Sequence, residues 1–201
     1  MIPVLVLVAA YLLGAIPFGY LLVKWKTGAD VRASGSGNIG ATNVLRTTGK
    51  AAGFATLLLD ILKGFAAVWL ASLLTDASPL WMSAAALSVV VGHAFPVFLG
   101  FQGGKAVASF VGAFLYLTPL ALAAVVVVFV AVVAKTRFIS LGSITGAATF
   151  PLAVFLILHP PLPVLLASIV GGAFIIWRHR ANIARLRAGT ENVFRPGGHK
   201  S

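Results

Sequence analysis

Long apolar runs separated by short polar breaks dominate the chain. They occupy residues 2–23, 51–74, 79–99, 139–158 and 162–177. A helix rises about 1.5 Å per residue and the hydrocarbon layer of a bilayer is about 30 Å thick, so a span needs roughly 20 apolar residues. These five runs read as spanning helices. Residues 106–134 read either as one long helix or as two short ones broken at Thr118-Pro119. The breaks are minimal except at 24–50 and 178–201, which are long and polar. No internal repeat is visible, and residues 1–201 read as a single domain.

Composition narrows the class. Of 201 residues, 60% are hydrophobic and 9% charged. Soluble domains are about 25% charged and disordered chains are polar, so both classes are excluded. A net charge of +11 would suggest nucleic acid in a soluble protein, but too little polar sequence remains for such a domain. No nucleic-acid partner is expected. The absence of cysteine excludes disulfides, thiolate chemistry and Cys-based metal sites.

Charge placement decides the ambiguous stretch, because basic residues favour the cytoplasmic side. If 106–134 is a hairpin, there are seven spans and the N-terminus is outside. Of fifteen Lys and Arg, only Lys63 then lies within a span. The rest fall on the cytoplasmic side: Lys24, Lys26, Arg32, Arg46, Lys50, Lys105, Lys135, Arg137, Arg178, Arg180, Arg185, Arg187, Arg195 and Lys200. One long helix would turn Lys135, Arg137 and the basic C-terminal segment outward. The expected fold is therefore an all-α integral membrane protein. It is a seven-transmembrane-helix bundle with a cytoplasmic C-terminus and a hairpin of short helices at spans four and five. The N-terminal run lacks a basic lead and is too long for a cleaved signal peptide.

The first polar segment contains Ser34-Gly35-Ser36-Gly37-Asn38-Ile39-Gly40-Ala41-Thr42-Asn43, with Arg46 three residues on. Gly35, Gly37 and Gly40 fit the spacing of a dinucleotide fingerprint, but that motif needs a preceding strand and a βαβ unit, and apolar spans flank this loop. Its physics still applies, since glycines let successive backbone N–H groups converge on an anion. Ser36, Asn38, Thr42 and Asn43 add neutral donors, and Arg46 adds a fork suited to phosphate. The alternative is an interfacial loop whose glycines only turn the chain.

The third apolar run ends Gly92-His93-Ala94-Phe95-Pro96, followed by Gly103-Gly104-Lys105. Pro96 is expected to end or kink the helix. Gly103 and Gly104 permit close backbone approach, and Lys105 at the start of the next span can meet a phosphate. A lysine there can also merely snorkel to the interface. His93 reads at least as well as a hydrogen-bonded histidine between helices. Asp60 and Lys63, three apart in a span, read as a structural pair close to the functional region.

After the last span come Arg178, His179, Asn182 and Arg185. On a continuous helix Arg178, Asn182 and Arg185 share a face. Attraction to anionic headgroups accounts for the arginines but not for Asn182 and His179. Glu191 is read as pairing with an arginine or holding the tail.

Together these segments resemble the bacterial acyl-phosphate:glycerol-3-phosphate acyltransferases. The first motif of that family is similar to Gly35–Asn43 with Arg46, the second to Gly92–Lys105 and the third to Arg178–Leu186. Asp60…Lys63-Gly64 and Ser140-Leu141-x-Ser143 are similar as well. The resemblance spans nearly the whole chain. Two departures stand in the second motif, where the family commonly has Lys and Gly and this chain has Gln102 and Ala106.

The resemblance implies a bacterial inner-membrane enzyme whose active site faces the cytoplasm. An acyl phosphate would donate its acyl group to the 1-hydroxyl of glycerol 3-phosphate, with no cofactor and no metal. Ser36, Lys105, His179 and Asn182 are the expected catalytic residues. Gly35, Gly37, Asn38, Gly40, Thr42, Asn43, Arg46, Gly103, Gly104, Ser143, Arg178 and Arg185 are expected to bind the two substrates, the acyl chain would lie among the helices, and membrane lipid is an expected partner. Asp30 and Glu191 are the only acids in the two long polar segments, so neither a carboxylate base nor a carboxylate-bound metal is expected. The hydroxyl proton goes either to His179 or to the acyl phosphate's own phosphate, and the second is preferred. A transporter of a phosphorylated small anion is the competing reading, and a structural scaffold the third.

Overall fold

The structure is a computed structural model and describes residues 1–194. Arg195 and Lys200, counted above among the cytoplasmic cations, lie outside the described residues. The described chain is helical and forms two compact units, Met1–Leu117 and Thr118–Ser201. Among the described residues, five segments are long and apolar enough to cross a membrane: Ile2–Thr27, Lys50–Leu74, Pro79–Leu99, Pro119–Thr136 and Ile139–Leu158. A sixth is counted if Leu162–Arg178 and Arg180–Arg187, bent by 54°, form one span.

The first unit contains α1 (Ile2–Ala15), α2 (Phe18–Thr27), α3 (Ala41–Thr48), α4 (Lys50–Leu74), α5 (Pro79–Ala94) and α6 (Val107–Leu117). Helix α4 packs against α1, α3, α5 and α6, and α1 packs closely on α5. Lipid tails are as apolar as leucine, so membrane helices gain from close backbone approach. Small residues provide it. A Cβ on Gly64 of α4 would overlap the Ser109 carbonyl of α6, and one on Gly112 of α6 would overlap the Ile61 carbonyl of α4. Large aliphatic side chains instead point outward, among them Leu58, Leu62 and Leu73 of α4. On a soluble protein such a surface would be a liability; in a bilayer it is the solvated face.

Two features of this unit depart from a reading by apolar runs. Pro17 splits the first run into α1 and α2, because it cannot donate the backbone hydrogen bond that would continue the helix. The segment expected to be a polar loop contains α3, whose Val44 is fully buried with Val23, Val31, Ile39 and Ala52. This small apolar core, with Tyr20 and Leu99 packed on it, gives the glycine segment a rigid floor.

The second unit contains α7 (Pro119–Thr136), α8 (Ile139–Leu158), α9 (Leu162–Arg178) and α10 (Arg180–Arg187), with α8 packed on both α7 and α9. The break at Thr118-Pro119 is as expected, since Pro is favoured in a helix's first turn and its ring excludes a continuing one. The segment after α9 differs from the expectation. His179 breaks the helix, so Arg178 lies on α9 while Asn182 and Arg185 lie on α10, and the three do not share a continuous face. The cause is a tightening of the last turn: the His179 N–H is shared between the carbonyls of Ile175 and Ile176 at 3.1 and 3.0 Å.

Candidate active site

In the first unit the glycine segment is built around one side chain. Asn43, on the first turn of α3, is 2% exposed. Its Nδ2 donates to the carbonyls of Val31, Ser34 and Asn38 at 3.2, 3.1 and 2.9 Å. Its Oδ1 accepts from the Ser36 N–H at 2.8 Å. The amide that the sequence offered as a substrate donor thus faces inward and shapes the loop. Gly35 and Gly37 have φ of +62° and +68°, and a Cβ on Gly35 would overlap Asn43 Oδ1. Glycine is required there both for conformation and for space.

The remaining loop amides divide into two groups. The Gly37 N–H donates to the Ser34 carbonyl at 3.1 Å, and the Gly40 N–H to Asn38 Oδ1 at 2.8 Å. With the Ser36 N–H, they are engaged within the loop rather than converging outward. The amides of Ala41 and Thr42 precede the first intrahelical bonds of α3, which run from Asn43 and Val44 to Gly40. Exposed Thr42 stands beside them, and exposed Arg46 follows one turn later on the same face. Ser36 is exposed at the loop's apex.

Asp30 closes the near end of the loop. Its carboxylate accepts from the Arg32 backbone N–H at 2.9 Å and pairs with the Arg32 guanidinium at 2.7 Å. These bonds hold its carboxyl below the ordinary carboxylate range.

Gly103, Gly104 and Lys105 follow α5 and its terminal turn at Val97–Leu99. Ala106, directly after Lys105, is buried with φ of +63°. An alanine in the left-handed region costs about 1 kcal/mol, whereas glycine is free to adopt it. Ala106→Gly is therefore expected to raise the melting temperature by about 2–4 °C with activity retained. A thermal melt of the purified variant checks this.

The second unit assembles a different group. Glu191, whose side chain is 5% exposed, accepts from Asn182 Nδ2 at 2.7 Å and Ser140 Oγ at 3.0 Å through Oε1. Its Oε2 accepts from Arg185 Nε at 2.8 Å. Burial opposes ionisation of Glu191, but these donors outweigh it and hold the carboxyl below its ordinary value. A carboxylate oxygen only accepts, so the Asn182 amide must turn its nitrogen toward Glu191. Its buried Oδ1 is left without a partner among the described residues. His179 Nδ1 lies 2.8 Å from the Ile175 carbonyl, so Nδ1 carries a proton and Nε2 holds the lone pair of the neutral ring. Ser143 Oγ donates to the Ile139 carbonyl at 3.0 Å. Arg178 is half-buried beside Trp177. Asn182 and Arg185 are named as site residues from the sequence, whereas Ser140 is quoted there in a motif without a role, because its partner lies 51 residues away.

Comparisons with known proteins give this geometry its context. Residues 4–189 match the family described as glycerol-3-phosphate acyltransferase. A relative of that name in Geobacter metallireducens is 53% identical over 196 residues, covering 97% of this chain and 99% of the relative. Another in Geobacter sulfurreducens is 48% identical over 186 residues, covering 92% and 94%. The crystal structure of PlsY, an integral membrane glycerol 3-phosphate acyltransferase, in its glycerol 3-phosphate form superposes with a TM-score of 0.90 at 39% identity over 96% of both chains. Its lysophosphatidic acid form gives 0.87 at 38% identity over 96% of this chain and 95% of that one. The chain belongs to the glycerol-3-phosphate acyltransferase family.

Proposed function

We propose that this acyltransferase takes its acyl group from an acyl phosphate and passes it to the 1-hydroxyl of sn-glycerol 3-phosphate. The products are 1-acyl-glycerol 3-phosphate and inorganic phosphate. The observation that carries the reading is that each unit holds an ordered polar group with its own cations. The first has the Asn43-built loop with Arg46, and Lys105 beyond two glycines. The second has Asn182 and Arg185 fixed on Glu191, with Arg178 and His179 at the α9–α10 junction that precedes them in the chain. A reaction joining two phosphate-bearing substrates needs two such groups, since each phosphate brings up to about two negative charges. The solved forms of the structural relative bear glycerol 3-phosphate and lysophosphatidic acid, the acceptor and the product of this reaction.

The 1-hydroxyl oxygen attacks the acyl carbon, and the bond from that carbon to the phosphate oxygen breaks. The hydroxyl proton passes to the departing phosphate, so no side chain has to act as base. Lys105, Ser36, His179 and Asn182 contact the reacting groups, with Ser36 as a positioning hydroxyl rather than a covalent nucleophile. Gly35, Gly37, Asn38, Gly40, Thr42, Asn43, Arg46, Gly103, Gly104, Ser143, Arg178 and Arg185 form or shape the binding surfaces. Stabilising charge that develops in the transition state is the main protein contribution. His179→Asn is accordingly expected to keep kcat within about threefold of wild type at saturating substrate. A loss of about a hundredfold or more that also removes the acidic limb of the pH–rate profile, as expected for a general base, would assign the proton to His179.

The topology proposed with this function counts α1–α2 as one span and α4 to α9 as six more. The N-terminus is then outside and the basic segments face the cytoplasm, where glycerol 3-phosphate is soluble. Helix α6, with 11 residues, covers about 16 Å of the roughly 30 Å layer and requires a tilted or locally thinned surround. Both units serve one catalytic domain in a bacterial inner membrane. The test compares donors. Purified protein should form lysophosphatidic acid from palmitoyl phosphate and not from palmitoyl-CoA. Product from palmitoyl-CoA alone would overturn the donor assignment. Counterflow of a phosphate ester in liposomes without any product would favour transport.

A further inference from the structure

Lys105 follows a backbone segment that is fastened to the end of α5. The Gly103 N–H donates to the Ala94 carbonyl at 3.2 Å, and the Gly104 N–H donates to the His93 carbonyl at 3.1 Å. The His93 ring occupies the place where a side chain on residue 104 would stand, since a Cβ on Gly104 would overlap Nε2. The other edge of the ring is held from two helices. Nδ1 lies 3.2 Å from Ser109 Oγ of α6 and 3.6 Å from Asp60 Oδ1 of α4. Asp60 pairs with Lys63 at 2.8 Å, and Lys63 Nζ donates to the Ile16 carbonyl, at the α1–α2 break, at 2.9 Å.

A buried ion pair is a poor device for stability alone, because well-packed apolar residues of similar volume often serve as well or better. Here the pair braces one imidazole, and that imidazole packs on the backbone of Gly104, one residue before a lysine. We propose that His93 is a positioning residue for acyl transfer: the Asp60–Lys63 pair and Ser109 hold its ring against Gly104 and thereby set Lys105 toward its substrate phosphate. This inference rests on the reading of Lys105 as a phosphate-binding group.

The test uses the full chain in lipid nanodiscs, with kcat, KM for glycerol 3-phosphate and melting temperature measured together. Gly104→Ala is expected to raise KM by about tenfold or more, in the range produced by small misplacements of a binding group. His93→Asn keeps a polar group on the Nδ1 side and removes the Nε2 atom that the new methyl would strike. The double variant's KM should then fall at least about fivefold short of the product of the two single effects. His93→Leu, similar in bulk but apolar, should raise KM more than His93→Asn, with a comparable melting temperature. Single effects that multiply fully, or a Leu variant at least as good as the Asn variant, would overturn the positioning role. Lys105→Ala separates the two levels. If it leaves both substrates' KM and kcat unchanged, the phosphate reading falls and the proposal with it. If it is impaired while the other effects multiply, only the role of His93 falls.

Discussion

Asn43→Ala is expected to lower kcat/KM for glycerol 3-phosphate by about a hundredfold. The side chain makes four hydrogen bonds to the backbone of its own loop. Each is worth about 1 kcal/mol, and a buried partner left unsatisfied costs more. Water reaches the exposed Ser34 and Ser36 once the amide is gone, which returns part of the loss. About 2–3 kcal/mol remains, and every 1.4 kcal/mol is tenfold. The effect should appear chiefly in activity, because α3 keeps Val44 in its apolar core. Asn43→Asp supplies the internal control. It is nearly isosteric, yet places a carboxylate against three carbonyl oxygens, so it should be at least as damaging as alanine. Steady-state kinetics on both variants, with thermal melts alongside, check the pair.

Glu191→Ala should cost a similar factor through a different route. Its carboxylate is the common acceptor for Ser140, Asn182 and Arg185. Hydrogen bonds to a charged group are worth about 1.5–3 kcal/mol each when well buried, and Arg185 is partly solvated, so a total of about 3 kcal/mol is reasonable. Without Glu191 the Asn182 amide loses the partner that fixes its sense. Glu191→Gln keeps the shape and one acceptor and should fall between alanine and wild type. The same residue predicts a pH dependence. Its folded-state pKa is lowered, so its contribution to stability is fully present above the ordinary carboxylate value. That contribution is lost as pH falls through the lowered one. The melting-temperature advantage of wild type over Glu191→Gln should therefore shrink in acid. An advantage that grows in acid would contradict the hydrogen-bond account.

Much of the helical framework is legible in the chain because lipid imposes a blunt rule. Runs of aliphatic residues at 51–74 and 139–158 have to be helices, and α4 and α8 follow them within a residue. Proline at 119 and 96 marks breaks for a reason that needs no tertiary context. The scarcity of acids marks Glu191 as a partner for an arginine or a hold on the tail, and only the folded structure picks out Arg185. What could not be read depends on distant partners. Pro17 interrupts an apolar run, but the run's length masks the break. Helix α3 lies in a segment that reads as polar, and tertiary packing stabilises it, with Val44 docked against Val23, Val31, Ile39 and Ala52. The bend at His179 has neither proline nor glycine to announce it. Asn43 reads as a donor for substrate because nothing local indicates that three carbonyls surround it.

The proposed reaction is a stoichiometric transfer between two phosphate-bearing substrates. ³¹P NMR on purified protein given palmitoyl phosphate and glycerol 3-phosphate, without coenzyme A, tests it in one sample. The acyl phosphate signal should be replaced by inorganic phosphate while glycerol 3-phosphate converts to lysophosphatidic acid, one for one. Inorganic phosphate released with the glycerol 3-phosphate signal unchanged would contradict it.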